Sequence, residues 1–113
     1  MGSVFLARRE TGGFVQTAAL KLVRAGIDSE ALMARFRQER RILASLDHPN
    51  IARLLDGGMS DDGRPFLVLE YVDGQPLPAF VKAHSLSRDR CLQLFTDVCA
   101  AVEYSHDRMI VHR

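Results

Sequence analysis

No apolar run in this sequence is long enough to cross a bilayer; stretches such as Phe66 to Leu69 and Val98 to Val102 are far too short. No secretory signal is visible, because the apolar stretch after Met1 breaks at Arg8 and Arg9. Met1-Gly2 is not a myristoylation signal, since Leu6 stands where Ser or Thr is needed. Net charge is only +1, with a pI near 7.9, so nothing demands a polyanionic partner. Cysteines number two, Cys91 and Cys99, eight residues apart in one expected helix. Eight residues rise about 12 Å along a helix, too far for a bridge. Both are read as reduced thiols packed as small apolar groups, which favours a reducing, cytoplasmic setting. Internal repeats and low-complexity tracts are also missing.

What is there is an ordinary globular balance, 47% apolar and 26% charged over 113 residues, enough for one small domain with its own core. Arg35, Arg37, Arg40, Arg41 and Arg53 cluster locally. Such a run on a helix is read as a solvated face rather than a nucleic-acid surface.

Residues 3–9 and 14–23 are rich in strand formers and are separated by Thr11-Gly12-Gly13, a hairpin signal. Asp28-Ser29-Glu30 supplies an N-cap and acidic first turn for a helix to about Leu46, and Asp47-His48-Pro49-Asn50 ends it. Strands are expected at 51–56 and 65–71, joined by the turn-rich residues 60–64. Residues 72–76 read as a hinge. A brief helix near 77–84 and a long one from Ser87 to about Asp107 follow. Cys91, Phe95, Val98 and Val102 form an apolar stripe on the long helix that must be buried against something.

Glu39 is the position out of pattern. It falls within the stripe Leu32, Phe36, Leu43 and Leu46, and an unpaired buried carboxylate costs roughly 3–5 kcal/mol, so a cation is expected beside it. Lys21, in the strand context Ala18-Ala19-Leu20-Lys21-Leu22-Val23, is the candidate. Taken singly, the lysine reads as snorkelling to water and the glutamate as edging the stripe. Paired, they would aim an ammonium group beside a glycine turn, an arrangement suited to phosphate.

With these residues in place the chain resembles the N-terminal part of a eukaryotic-type protein kinase, in its bacterial serine/threonine branch. Gly2-Ser3-Val4 matches the end of the glycine-rich loop, and Ala18-Ala19-Leu20-Lys21 the V-A-I-K strand. Phe36-x-x-Glu39 with Ile42, Leu43 and Leu46 matches helix αC, and His48-Pro49-Asn50-Ile51 the loop after it. Leu67 to Gly74 matches the last strand and hinge, and Val111-His112-Arg113 the opening of the H-R-D catalytic loop.

The resemblance implies an α+β fold. Residues 1–71 would be a kinase N-lobe (antiparallel sheet plus αC helix) lacking its first strand, 72–76 the hinge, and 77–113 the first helices of the C-lobe. It implies ATP and Mg2+ as cofactors and a protein hydroxyl as substrate, with no nucleic acid and no membrane segment within this chain. Lys21 would contact the α- and β-phosphates while paired to Glu39. Gly2 would belong to the phosphate loop, Val4 and Ala19 would cover the adenine, Leu69 would be the gatekeeper, and Glu70 and Val72 would offer backbone groups to the adenine edge. Leu43, Leu54 and His112 would join a stacked apolar column, and Arg113 would meet an activation-loop phosphate. His48 is read as a structural loop residue, and His84 and His106 as surface or packing residues.

The match stops before the catalytic Asp and the metal ligands, so Met1 and Arg113 read as ends of an incomplete sequence. The 113 residues alone are expected to transfer no phosphate. An alternative reading is a pseudokinase or a kinase-like scaffold.

Overall fold

The computed structural model describes residues 2–24 and 30–111. The N-cap expected at Asp28-Ser29, and the residues His112 and Arg113, lie outside the described residues. The chain divides into two compact units: Met1–Asp47 with Ala52–Tyr71, and His48–Ile51 with Val72–Arg113.

The first unit is built around an antiparallel hairpin. β1 (Ser3–Thr11) pairs with β2 (Phe14–Leu22) from Thr11↔Phe14 to Ser3↔Leu22. The two residues between them, Gly12 (φ 59°) and Gly13 (φ 84°), both take the left-handed backbone that a tight hairpin turn requires. Two further strands, β3 (Leu54–Met59) and β4 (Pro65–Glu70), complete a four-stranded sheet in the order β1-β2-β4-β3.

β3 begins three residues later than the sequence reading expects. Residues 48–51 are committed to a turn, in which Ile51 N–H donates to the His48 carbonyl (3.1 Å) and Asn50 N–H to His48 Nδ1 (3.0 Å). The strand then runs through Gly57-Gly58, which resembles a turn in sequence. A Cβ at Gly58 would come within 3.1 Å of the Phe66 ring, so the pair marks close packing rather than a bend.

The β3–β4 turn closes on Ser60 and Arg64. Ser60 N–H donates to the Arg64 carbonyl (2.8 Å) and Arg64 N–H to Ser60 Oγ (3.0 Å), with Gly63 at φ 78°. The Ser60 hydroxyl also donates to Asp62, whose other oxygen lies 2.6 Å from Arg64 Nε.

α1 (Glu30–Ser45) crosses the sheet on the face that Leu67 occupies, since a Cβ at Gly57 would meet both Leu67 and Arg40 at 3.4 Å. Leu67 is 1% exposed, and Phe36 and Ala18 are buried near it in rank. Leu32, Leu43 and Leu46 of the expected stripe are only half-buried.

In the second unit, α2 (Leu77–Ala83) follows Pro76, and α3 (Arg88–Asp107) follows Ser87, whose side chain accepts from Arg90 N–H at 3.2 Å. Residues 48–51 belong with these helices: Asn50 Nδ2 donates to the Asp97 carbonyl (3.3 Å), and the His48 ring lies 5.1 Å from that of Tyr104. Arg108 stacks on the same tyrosine at 3.6 Å. His84 caps α2 with its ring 4.2 Å from Phe80, and His106 is exposed. The expected stripe on α3 is largely uncovered, with Phe95 63%, Val98 44% and Val102 45% exposed. Both cysteines are free; Cys91 is half-buried, but Cys99 is exposed and does not act as the packed apolar group expected of it. Among the described residues no helix is long and apolar enough to cross a membrane.

Truncating Leu67 should leave a cavity in the sheet–helix core. Leu67→Ala is expected to lower stability by about 2–5 kcal/mol in urea unfolding, and Leu55→Ala, at a half-exposed site, by far less. The Ser60 hydroxyl and then the Arg64 guanidinium hold the Asp62 carboxyl below the usual carboxylate range. The folded value is the lower one, so this turn contributes stability above the ordinary carboxylate pKa and loses it as pH falls through the depressed value. NMR titration should place the Asp62 midpoint below that of an unperturbed aspartate and move it upward in Ser60→Ala.

Candidate functional site

Strand alternation gathers the site. Val4 lies directly opposite Lys21, Leu67 opposite Lys21 on the other side, and Leu69 opposite Ala19. Directly paired residues share a face, as do residues two apart, so Val4, Ala19, Lys21, Leu67 and Leu69 all stand on one side of β1, β2 and β4. Leu67 is sealed, whereas Val4 is 67% exposed and Ala19 and Leu69 are half-buried. The result is an open apolar strip beside a cation. Gly2 enters β1 so close to its neighbour that a Cβ would collide with the Leu22 carbonyl oxygen, a contact only glycine avoids.

Lys21 Nζ donates to Glu39 Oε1 at 2.8 Å, joining β2 to α1. The pairing expected from the sequence is present, but its surroundings are not those expected. Lys21 and Glu39 side chains are 32% and 46% exposed, so Glu39 sits at the rim of its stripe rather than inside it. Only Phe36 of α1 is buried, and water reaches the carboxylate one turn further on. The pair therefore contributes at most about 1 kcal/mol to folding, not the several expected of a buried one. Its use is geometric. An ammonium carries three donors, and one held by Glu39 leaves two that can serve a ligand.

Glu70 ends β4 and is exposed. Its N–H donates to the Arg53 carbonyl (2.8 Å), and its carboxylate accepts from the Arg53 N–H (3.2 Å). The sequence reading placed Arg53 in a basic cluster with α1; instead its side chain reaches Asp47 at 3.7 Å and its main chain serves Glu70. No local pattern announces such a contact between residues seventeen positions apart. Val72, 65% exposed, belongs to the second unit.

A cation with free donors beside an apolar strip suits a ligand with an anionic end and a flat apolar one. Among the described residues, no group of three or more His, Cys, Asp or Glu side chains comes together to hold a metal ion.

Comparison with known proteins identifies the family. The protein kinase domain family matches residues 1–113. A probable serine/threonine-protein kinase PknB of Bifidobacterium longum is 36% identical over 87% of the chain, which covers 16% of that protein. The serine/threonine-protein kinases pkn3 of Myxococcus xanthus and PrkC of Bacillus subtilis are each 33% identical over 100% of the chain, covering 21% and 17% of their lengths. The chain thus spans about a fifth or less of these relatives. Among solved structures, a mutant of the Mycobacterium tuberculosis PknI kinase domain superposes with a TM-score of 0.71 at 30% identity, over 100% of this chain and 46% of that one.

Because the ion pair is wet, Glu39→Ala is expected to lower folding stability by less than about 1 kcal/mol in urea unfolding. A loss of 3 kcal/mol or more would mean that the carboxylate is held in a dry site after all.

Proposed function

The chain belongs to the serine/threonine protein kinase family, and on that basis we propose that it forms the nucleotide-anchoring part of an ATP-dependent protein kinase, one that transfers phosphate to protein hydroxyls. The observation that carries the reading is the Lys21–Glu39 hydrogen bond at 2.8 Å, with Lys21 on the same sheet face as Val4, Ala19 and Leu69. In this reading residues 1–71 are the N-lobe, 72–76 the hinge and 77–113 the start of the C-lobe.

Lys21 gives its remaining donors to the α- and β-phosphate oxygens, and Glu39 keeps it from turning away. Gly2 lets the main chain pass close to the phosphates. Val4 and Ala19 cover the adenine, Leu69 closes the back of its site, and Glu70 and Val72 present main-chain groups to its edge. ATP supplies the phosphoryl group, and Mg2+ accompanies it with no residue of the described chain assigned to hold it. His112 and Arg113 open the catalytic loop, and the Asp that would orient the accepting hydroxyl is not among the 113 residues. The chain by itself therefore binds nucleotide without transferring phosphate.

Calorimetric titration with ATP and a radiolabel transfer assay on a generic protein substrate test this together. The 113-residue chain is expected to bind ATP and to transfer nothing. Lys21→Met should weaken ATP binding about tenfold or more while leaving the circular dichroism spectrum unchanged. Transfer by the chain alone would refute the claim of inactivity, and absence of ATP binding would favour a kinase-like scaffold.

A further inference from the structure

His48 closes the turn at 48–51 with two acceptors. Its carbonyl takes the Ile51 N–H at 3.1 Å, and its ring nitrogen Nδ1 takes the Asn50 N–H at 3.0 Å. A main-chain amide can only donate, so Nδ1 carries no hydrogen in this arrangement and the ring is the neutral Nε2–H form. Pro49 has no N–H of its own, which leaves Asn50 as the amide inside the turn that needs a partner. The same turn is attached to α3 at two points. The His48 ring packs against Tyr104 with 5.1 Å between centroids, and Asn50 Nδ2 donates to the Asp97 carbonyl at 3.3 Å. Asp97, Ala101, Tyr104 and Arg108 follow one another at helical spacing and so share a face of α3; Ala101 is buried, and the Arg108 guanidinium lies 3.6 Å over the Tyr104 ring.

We propose that His48 is a proton-operated latch: its neutral ring fastens residues 48–51 to α3, and protonation at Nδ1 unfastens them. The second proton of this imidazole enters at Nδ1 and turns the acceptor of the Asn50 N–H into a donor that faces it. The amide then has no partner in the turn, and the Asn50 side chain loses the backbone geometry that aims it at Asp97. The charged groups around the ring do not replace the lost bond. Arg108 already occupies Tyr104, so a ring cation meets a like charge there. Asp47, next in the chain, is engaged by Arg53 at 3.7 Å, and Asp97 is an exposed residue that meets the turn through its main-chain carbonyl. The latch is therefore closed at neutral and alkaline pH and opens as pH falls through the range in which an imidazole ordinarily charges, about pH 6.5. His84 is the contrast: its Nδ1 lies 2.9 Å from the Phe80 carbonyl, so it donates whether the ring is neutral or charged, and acid leaves that bond intact. Both ends of the 48–51 turn continue into the first unit, to α1 and to β3, so opening the latch leaves those two ends untethered to α3.

The test follows the His48 ring nitrogens and the Asn50 amide by NMR in the 113-residue protein. At about pH 7.5 the His48 ring is expected to carry its hydrogen on Nε2; a hydrogen on Nδ1 there overturns the proposal. On acidification to about pH 5 the Asn50 amide protection factor, in which the intrinsic pH dependence of exchange is divided out, should fall about five- to tenfold as the ring charges. Undiminished protection beside a charged His48 ring overturns the proposal. His48→Asn shows whether the ring is the cause, because the asparagine Oδ1 can accept the same N–H and takes up no proton in this range. Asn50 protection in that variant should stay constant from about pH 7.5 to about pH 5. An equal acid loss in His48→Asn would trace the effect to Asp47 or Asp97 and overturn the proposal. Should His48→Asn fail to fold, the position of the ring hydrogen and the Asn50 protection of the unaltered protein decide the matter by themselves.

Discussion

β2 is hydrogen-bonded along both of its edges, to β1 on one side and β4 on the other, and the rest of the candidate site follows from its register. Side chains alternate along a strand, so a slip of one residue would move Lys21 to the opposite face and separate it from Glu39, Val4 and Leu69 at once. Two features hold the register. The Gly12-Gly13 turn allows only a short connection and so pins Thr11 to Phe14. On the other edge, Leu67 is fully buried opposite Lys21, and any slip would bring it out to solvent.

The polar contacts of the first unit act mainly on geometry. Lys21 and Glu39 meet in water-accessible surroundings, where an ion pair adds little to folding. What it does is restrict a long, flexible side chain to one direction, leaving the entropy of ordering it already spent when an anion arrives. Glu70 and Arg53 show the same logic on the backbone. A carboxylate takes a main-chain donor at the margin of the sheet, where the regular ladder has lapsed.

The second unit shows how one motif can serve two structural contexts. His48-Pro49-Asn50 ends α1 in sequence, yet its side chains attach to α3, through Asn50 to the Asp97 carbonyl and through His48 to Tyr104. That attachment uses up the residues from which the third strand was expected to start, and β3 forms later, across two glycines. Along α3 the period-3.6 stripe is real, but Phe95, Val98 and Val102 remain exposed. Periodicity reports which side of a helix is apolar; it does not supply what covers that side.

Element type was legible in the sequence wherever short-range chemistry decides it. The glycine turn, the prolines at the start of α2 (Pro76 before it and Pro78 in its first turn), the Ser87 cap and the alternation of β2 depend on residues only a few positions apart, and they place the hairpin, both later helices and the lysine. The pairing of Lys21 with Glu39 was legible too, because each charge interrupts an apolar pattern. How deeply the pair is buried was not, since a stripe on a helix does not say where its rim meets water; that depends on how α1 lies on the sheet. Nor could the sequence show that Glu70 reaches Arg53, or that β3 yields its first residues to a turn. Those depend on contacts between segments far apart along the chain, which exist only once the strands have paired.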